Sequence, residues 1–274
     1  MASTTGVYDE LVFTTGDELW DRVHQAHRRF AALLSVTPGK TELKGSYWNA
    51  AQVAGHVLNV LNRYTDRDIT SREGLSAEGS GVTQQNDAEL EALGQYSVAE
   101  VLDRTWQALA DIEKKLPRDM DLHQRFPFHG GQEFDGAAAL SNLVGEFLIH
   151  GRDVALARGK QWKIGSRNAA MVLATGFQVA PGYVRADAPG DLKLEIRTPE
   201  TNAWVLDLVD GELTSRKAGR REGADVIVYG RTEALLLNLY GRFGLGRATL
   251  HGITVVGGRR PWRIARLPRT FLVP

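Results

Sequence analysis

The stretch Gly145-Glu146-Phe147-Leu148-Ile149-His150-Gly151-Arg152-Asp153 lies inside an apolar run from Gly136 to Gly159. The run reads as one helix. Asp135 stands where its carboxylate can accept a backbone N–H at the N-cap, and Gly159 stands where a helix end favours a left-handed residue. Leu143, Phe147, His150 and Val154 fall on one stripe at the helical period. Glu146 and His150, four residues apart, share that face, so the spacing aims a carboxylate and an imidazole at the interior. Burying an ionised carboxylate is costly unless a cation or dense hydrogen bonding compensates. Two answers fit: a metal ion, or a Glu–His hydrogen bond that braces a helical bundle.

Upstream, Thr15-Gly16-Asp17-Glu18 reads as a capping box, and Leu19, Trp20, Val23, Phe30, Leu33 and Leu34 carry a first helix to the break at Thr37-Pro38-Gly39. Asn49 with Gln52 opens a second helix whose stripe is Val53, His56, Val57, Val60, Leu61 and Tyr64, with His56 on the buried side. Ser71 to Gln95, rich in Gly, Ser, Glu and Gln and weakly periodic, predicts a long surface connection placed to close over a site. Ser97-Val98-Ala99-Glu100 caps a third helix that runs to Pro117 through Val101, Leu102, Leu109 and Ile112. Residues 118–134 read as a second long link. Four helices with two long crossings predict a bundle over residues 1–160, with core sites built from facing stripes.

After Gly159 the pattern changes. A short helix from Arg167 to Ala180 ends at Pro181-Gly182, and period-two patterns follow at Leu192, Leu194, Ile196 and at Trp204, Leu206, Leu208. Asp210-Gly211 is a hairpin signal. Val226 to Tyr229 predicts a strand, Thr232 to Tyr240 a Leu-rich helix, and Thr249 to Val256 a last strand before a turn at Gly257-Gly258. Residues 161–274 thus read as an α+β domain, and the whole chain as a two-domain α+β protein.

The 33 basic and 33 acidic residues among 274 balance, which gives no general pull toward nucleic acid or anionic membrane and favours a small-molecule or protein partner. No charge-free apolar run approaches the ~18 residues of a membrane span, and Met1 to Glu10 lacks the basic and apolar regions of a signal peptide. Both features predict a cytoplasmic protein; monomer and dimer are equally open. The chain has no cysteine, so disulfides, thiolate metal ligands and a cysteine nucleophile are excluded. Any thiol chemistry must use a thiol from outside.

His56, Glu146 and His150 form the candidate ligand set. Two imidazoles and one carboxylate suit zinc or a similar divalent ion with one position open, whereas a lone buried His56 also reads as a satisfied core residue. Asp153 suits a partner that fixes the His150 tautomer, an alternative ligand, or a surface salt bridge with Arg152. Asn59 and Arg63 follow His56 on its own face and can hydrogen-bond a bound ligand. The basic cluster Arg259, Arg260, Arg263, Arg266 and Arg269 reads as a solvated tail packed on the domain, and Gly257-Gly258 as a turn, since the Lys-Ser/Thr of a phosphate loop is missing.

Trp48 to Val60 and Gly145 to Gly159 resemble the metal-binding helices of the mycothiol-dependent maleylpyruvate isomerase family, whose N-terminal part is a DinB-like four-helix bundle. Gly223 to Gly246 is similar to that family's small α+β C-terminal domain, so the resemblance spans nearly the whole chain. It implies a divalent metal, zinc above all, on His56, Glu146 and His150. It also implies mycothiol, the low-molecular-weight thiol of actinobacteria, as cosubstrate, and a C-terminal arginine reaching the metal cleft, carried here to Arg242. The expected chemistry is thiolate attack on an electrophilic small molecule, giving cis–trans isomerisation or S-transfer; exchange of one bound thiol for another, as in sulfur-containing natural-product pathways, is an alternative. A non-enzymatic lipid- or partner-binding protein with a structural Glu–His pair is the rival from another class.

Overall fold

A computed structural model describes residues 14–94 and 96–272 of the chain. The N-terminal segment read above for a leader lies outside the described residues, as does Gln95. Helix α1 (Gly16–Leu34) is capped by Thr15, whose side chain accepts from the Glu18 N–H. Only this half of the expected capping box forms. The Glu18 carboxylate turns instead to Arg22 and Arg167, which hold its pKa below the usual carboxylate range against the effect of burial. Helix α2 (Ala50–Thr65) has its complete capping box between Asn49 and Gln52.

The Ser71–Gln95 connection differs from expectation, because it contains helix α3 (Val82–Leu93). Nothing in α3 is fully buried, so it shows no apolar stripe to a reader of the sequence. Polar contacts hold it down: Arg63 of α2 reaches Glu89 and Asn86 at 2.5 Å. Helix α4 (Val98–Lys115) has the capping box predicted at Ser97 and Glu100. Residues 118–134 also hold more than a link, since strands β1 (Arg125–Pro127) and β2 (Glu133–Asp135) pair as a small antiparallel hairpin.

Helix α5 (Gly136–Ala157) begins on the Asp135 cap, with the Ala138 N–H donating to Oδ1 at 2.8 Å, and Gly159 beyond its end takes φ +63°. The stripe read along α5 splits between two environments. Leu143, Phe147 and Val154 are fully buried, and the Phe147 ring packs on His27 and Phe30 of α1. Glu146 and His150 turn toward α2 and line a cavity. Neighbouring positions on a helix are separated by 100°, so a stripe drawn four residues wide crosses both faces.

Helix α6 (Ser166–Val179) lies against α5 at Gly145, where an added Cβ would sit 2.8 Å from Val172 Cγ1. At Gly151 an added Cβ would meet the Trp162 ring at 2.6 Å. Both glycines of the opening stretch are therefore close-approach positions. A five-stranded sheet follows in the order β5-β4-β3-β6-β7, from β3 (Leu192–Arg197), β4 (Trp204–Val209), β5 (Glu212–Lys217), β6 (Val226–Gly230) and β7 (Ile253–Gly257). β3 and β6 run parallel and the other pairs antiparallel. Asp210 and Gly211 both take positive φ, 51° and 83°, as a two-residue hairpin requires. The expected strand over Thr249–Val256 starts late, at Ile253, because Thr249–His251 forms a 3-10 turn.

Helix α7 (Thr232–Leu239) packs on α6, and Phe177 of α6 meets Trp204 of β4 with ring centroids 5.1 Å apart. Buried apolar residues thus run without a break from the helices to the sheet. The basic C-terminal segment folds back on the sheet: Arg263 reaches Asp225 at 2.9 Å and Arg266 donates to the Asp191 carbonyl.

Candidate metal centre and cavity

Helices α2 and α5 bring three side chains to one point. His56 Nε2 lies 3.5 Å from Glu146 Oε2, His150 Nε2 lies 3.4 Å from the same oxygen, and the three donor atoms fall within 4.8 Å of one another. Trp48, one residue before the α2 cap, covers His56 with ring centroids 4.7 Å apart. His56 is buried, and burial is the main reason its pKa is lowered, so it presents a neutral imidazole. Burial acts to raise the Glu146 pKa, but the two adjoining imidazoles outweigh it and the net shift is downward. A carboxylate beside the neutral His56 imidazole is the kind of donor pair a metal requires.

The distances leave room for an ion between the three groups. A hydrogen bond to a carboxylate runs at about 2.7–2.9 Å, shorter than either contact. Donors placed about 2.0–2.1 Å from one tetrahedral ion lie roughly 3.3 Å apart, close to the 3.4 and 3.5 Å observed. Asp153 Oδ2 lies 3.9 Å from His150 Nδ1, on the side of the ring away from Glu146. A proton on Nδ1 facing Asp153 leaves the Nε2 lone pair free for a ligand bond. The residues present fit a divalent ion.

These side chains line a cavity of about 910 Å³ closed by both halves of the chain. Tyr64 and Arg63 come from α2, Tyr183 from the turn after α6, and Tyr240 and Arg242 from the end of α7. Arg242 is engaged: Nη2 and Nε reach Asp153 Oδ2 at 2.6 and 3.1 Å, and Nη1 donates to the Tyr240 carbonyl at 2.7 Å. The salt bridge of Asp153 therefore goes to Arg242, 89 positions away, and not to the adjacent Arg152. Burial pushes the Tyr183 hydroxyl up to about 12 and raises Tyr64 and Tyr240 as well, so all three are neutral phenols. A larger and more open concavity, about 1330 Å³, lies between α1, α2, α3 and α4, on the other side of Trp48.

Two solved structures share this architecture. The crystal structure of the mycothiol-dependent maleylpyruvate isomerase superposes with a TM-score of 0.52 over 93% of this chain and 96% of that one, at 14% identity. A histidine-to-alanine mutant of the same enzyme gives 0.53 over the same coverage and identity. The chain has the fold of that isomerase. At this identity the likeness is one of fold. No protein-family model matches the chain, and no curated protein matches it in sequence.

Of the residues singled out in the sequence, His56, Glu146, His150, Asp153, Arg63 and Arg242 all line the cavity. Asn59 does not. It is buried elsewhere on α2, its Nδ2 without a partner, because a helical step of three from His56 carries it past the cavity edge. Trp48 and His129 were not anticipated. His129, 3% exposed, sits in the loop of the β1–β2 hairpin. The only local signal is an aromatic-His-Gly-Gly run in a link, where ligand-contacting residues concentrate.

Proposed function

We propose that the protein is a metal-dependent enzyme that uses an external low-molecular-weight thiol, mycothiol, as nucleophile on a small electrophile, giving cis–trans isomerisation of the maleylpyruvate type or S-transfer. The observation that carries this reading is the convergence of His56, Glu146 and His150 on the wall of a cavity, in a chain that has no cysteine of its own. On this reading residues 1–160 supply the ligands and residues 161–274 supply the opposite wall.

His56, Glu146 and His150 would hold the divalent ion, zinc by its donor set, and the ion would favour the thiolate form of a thiol beside it at neutral pH. Asp153 orients His150, and Arg242 holds Asp153 in place through two donors. Tyr240 and Arg242 wall the cavity, which excludes water from a reactive thiolate adduct. Addition of the thiolate to a conjugated carbon–carbon double bond places the charge on the substrate's carbonyl oxygen as an enolate, the position at which Arg242 would act. Rotation about the resulting single bond and expulsion of the thiolate return the isomer and regenerate the thiol; protonation of the adduct instead completes S-transfer.

The test is elemental analysis of the full chain purified without added metal, followed by calorimetric titration of mycothiol into metal-loaded and metal-stripped protein. About one equivalent of divalent ion and metal-dependent thiol binding are expected. Protein that neither carries nor takes up an ion returns the cluster to a structural pair.

A further inference from the structure

The contact between Arg63 and His129 contains a hydrogen-bond conflict. The Ser76 backbone N–H donates to His129 Nδ1 at 3.0 Å, so that nitrogen is an acceptor. A neutral imidazole then carries its proton on Nε2. His129 is neutral at ordinary pH, since burial, reinforced by the Arg63 and Arg67 guanidiniums, pushes its pKa down to about 3. Arg63 Nη1 nevertheless lies 3.2 Å from that same Nε2. Reversing the ring gives no relief, because it would set a C–H against the Ser76 N–H. Two N–H groups on the cavity wall thus converge on one point.

Cationic and anionic groups both surround that point. Arg63 meets Glu89 through Nε and Nη2, which neutralises it. Arg67, also on the cavity wall, donates only to the carbonyls of Arg63, Ser71 and Glu73. The guanidiniums of Arg63 and Arg67 lie close enough to act on His129, with Glu146 also acting on it and Asp68 beside Arg67. Arg242 commits one N–H each from Nε, Nη1 and Nη2 to Asp153 and the Tyr240 carbonyl, and Arg63 with His129 offers a donor pair separate from it. An oxygen set about 2.8–2.9 Å from each of two nitrogens 3.2 Å apart satisfies both.

We infer that Arg63 Nη1 and His129 Nε2 together receive one oxygen of a substrate carboxylate, a second anion-recognising position in the cavity, separate from Arg242. The inference rests on the cavity being a small-molecule site and deepens that reading by giving the substrate a carboxylate. It does not depend on the ion or on the thiol.

The test uses the full chain without added metal, with maleate as probe and its diamide as the uncharged probe. Nitrogen-15 spectra of the histidine rings should show His129 as the Nε2–H tautomer. Maleate should bind and shift that resonance. His129→Asn preserves an acceptor for the Ser76 N–H but lacks the Nε2 donor, so it should weaken maleate at least about tenfold with little change in melting temperature. Arg63→Lys, which keeps the charge and loses the directed Nη1 donor, should weaken it as well. An Nδ1–H tautomer, an absence of maleate binding to the wild type, or equal maleate affinity in wild type and His129→Asn each overturns the proposal. Diamide bound as tightly as maleate by the wild type overturns the carboxylate assignment. Metal content is measured on the same samples, so a failed metal centre and a failed carboxylate position are told apart.

Discussion

Arg242 and Asp153 are joined across 89 positions by a two-donor ion pair, Nη2 at 2.6 Å and Nε at 3.1 Å from Oδ2. The pair ties the end of α7 to α5 directly beside His150, whose Nδ1 is 3.9 Å from the same carboxylate oxygen. The two substitutions should therefore separate. Asp153→Asn removes the carboxylate beside His150 Nδ1 and, on the proposed reading, should weaken metal binding by about 10–100-fold. Arg242→Ala should retain the ion and lose turnover by roughly 2–4 kcal/mol of transition-state stabilisation. Metal dissociation constants and kcat/KM for the two variants check this; an Arg242→Ala protein that turns over at the wild-type rate removes Arg242 from the mechanism.

His150→Ala should lose the ion and the activity together while keeping the fold. The cluster lies on the cavity side of α5, whereas the packing of the helix rests on Leu143, Phe147 and Val154 on other faces, all fully buried. Removing His150 also leaves Glu146 with one imidazole in place of two, a partly buried charge less well compensated, so a cost of about 1–3 kcal/mol is expected. Circular dichroism and elemental analysis on one preparation decide it. Unfolding of His150→Ala under conditions where stripped wild type stays folded would show the pair to be structural.

The sequence exposes what the hydrophobic stripes and caps determine, and conceals what polar contacts determine. Asp135, Asn49 and Ser97 mark helix starts correctly because a side-chain acceptor for an orphan N–H is a local requirement. The three ligand candidates are legible because they interrupt apolar stripes. Helix α3 is not, because it has no fully buried residue and the contacts of Arg63 with Asn86 and Glu89 are visible only once the chain is folded. Asn59 illustrates the limit of a helical-wheel argument: three residues from a ligand is 60° away, and the cavity wall ends within that arc. His129 is recruited by Ser76 from 53 positions away, a pairing without any spacing to read.

Stability should fall with acid through His27. Its ring is buried against Phe147 and Trp106, and Nε2 lies 2.8 Å from Thr105 Oγ1, whose hydroxyl already donates to the Leu102 carbonyl. Nε2 is therefore the protonated nitrogen, and Nδ1 is buried without a partner. Burial, with minor repulsion from His24 and Arg28, lowers the pKa from 6.5 to about 4. A depressed folded-state pKa means that the unfolded chain takes up the proton first. The stability is intact above pH 6.5 and is lost progressively between 6.5 and 4, up to roughly 3 kcal/mol from this group. Urea unfolding across that range should show a shallower slope for His27→Gln than for wild type; parallel slopes would assign the acid sensitivity elsewhere.

A metal centre on His56, Glu146 and His150 should need α6 but not the sheet. A cut after Gly159 removes α6, whose Val172 fills the space at Gly145 and whose Thr175 hydroxyl reaches the Ala138 carbonyl at 3.4 Å. That cut strips one whole face of α5, the helix that carries Glu146 and His150. A cut after Tyr183 keeps this face and removes the sheet, Tyr240 and Arg242. The longer fragment should be the better folded and should still take up about one equivalent of divalent ion, since none of the three donors lies beyond it. Its turnover should nevertheless be lost, because the wall that excludes water from the cavity is gone. Melting curves and metal titrations of the two fragments, with activity against the full chain, test each step. Full-length turnover by residues 1–183 would show that the sheet half has another task, and the place of Arg242 in the mechanism would fall with it.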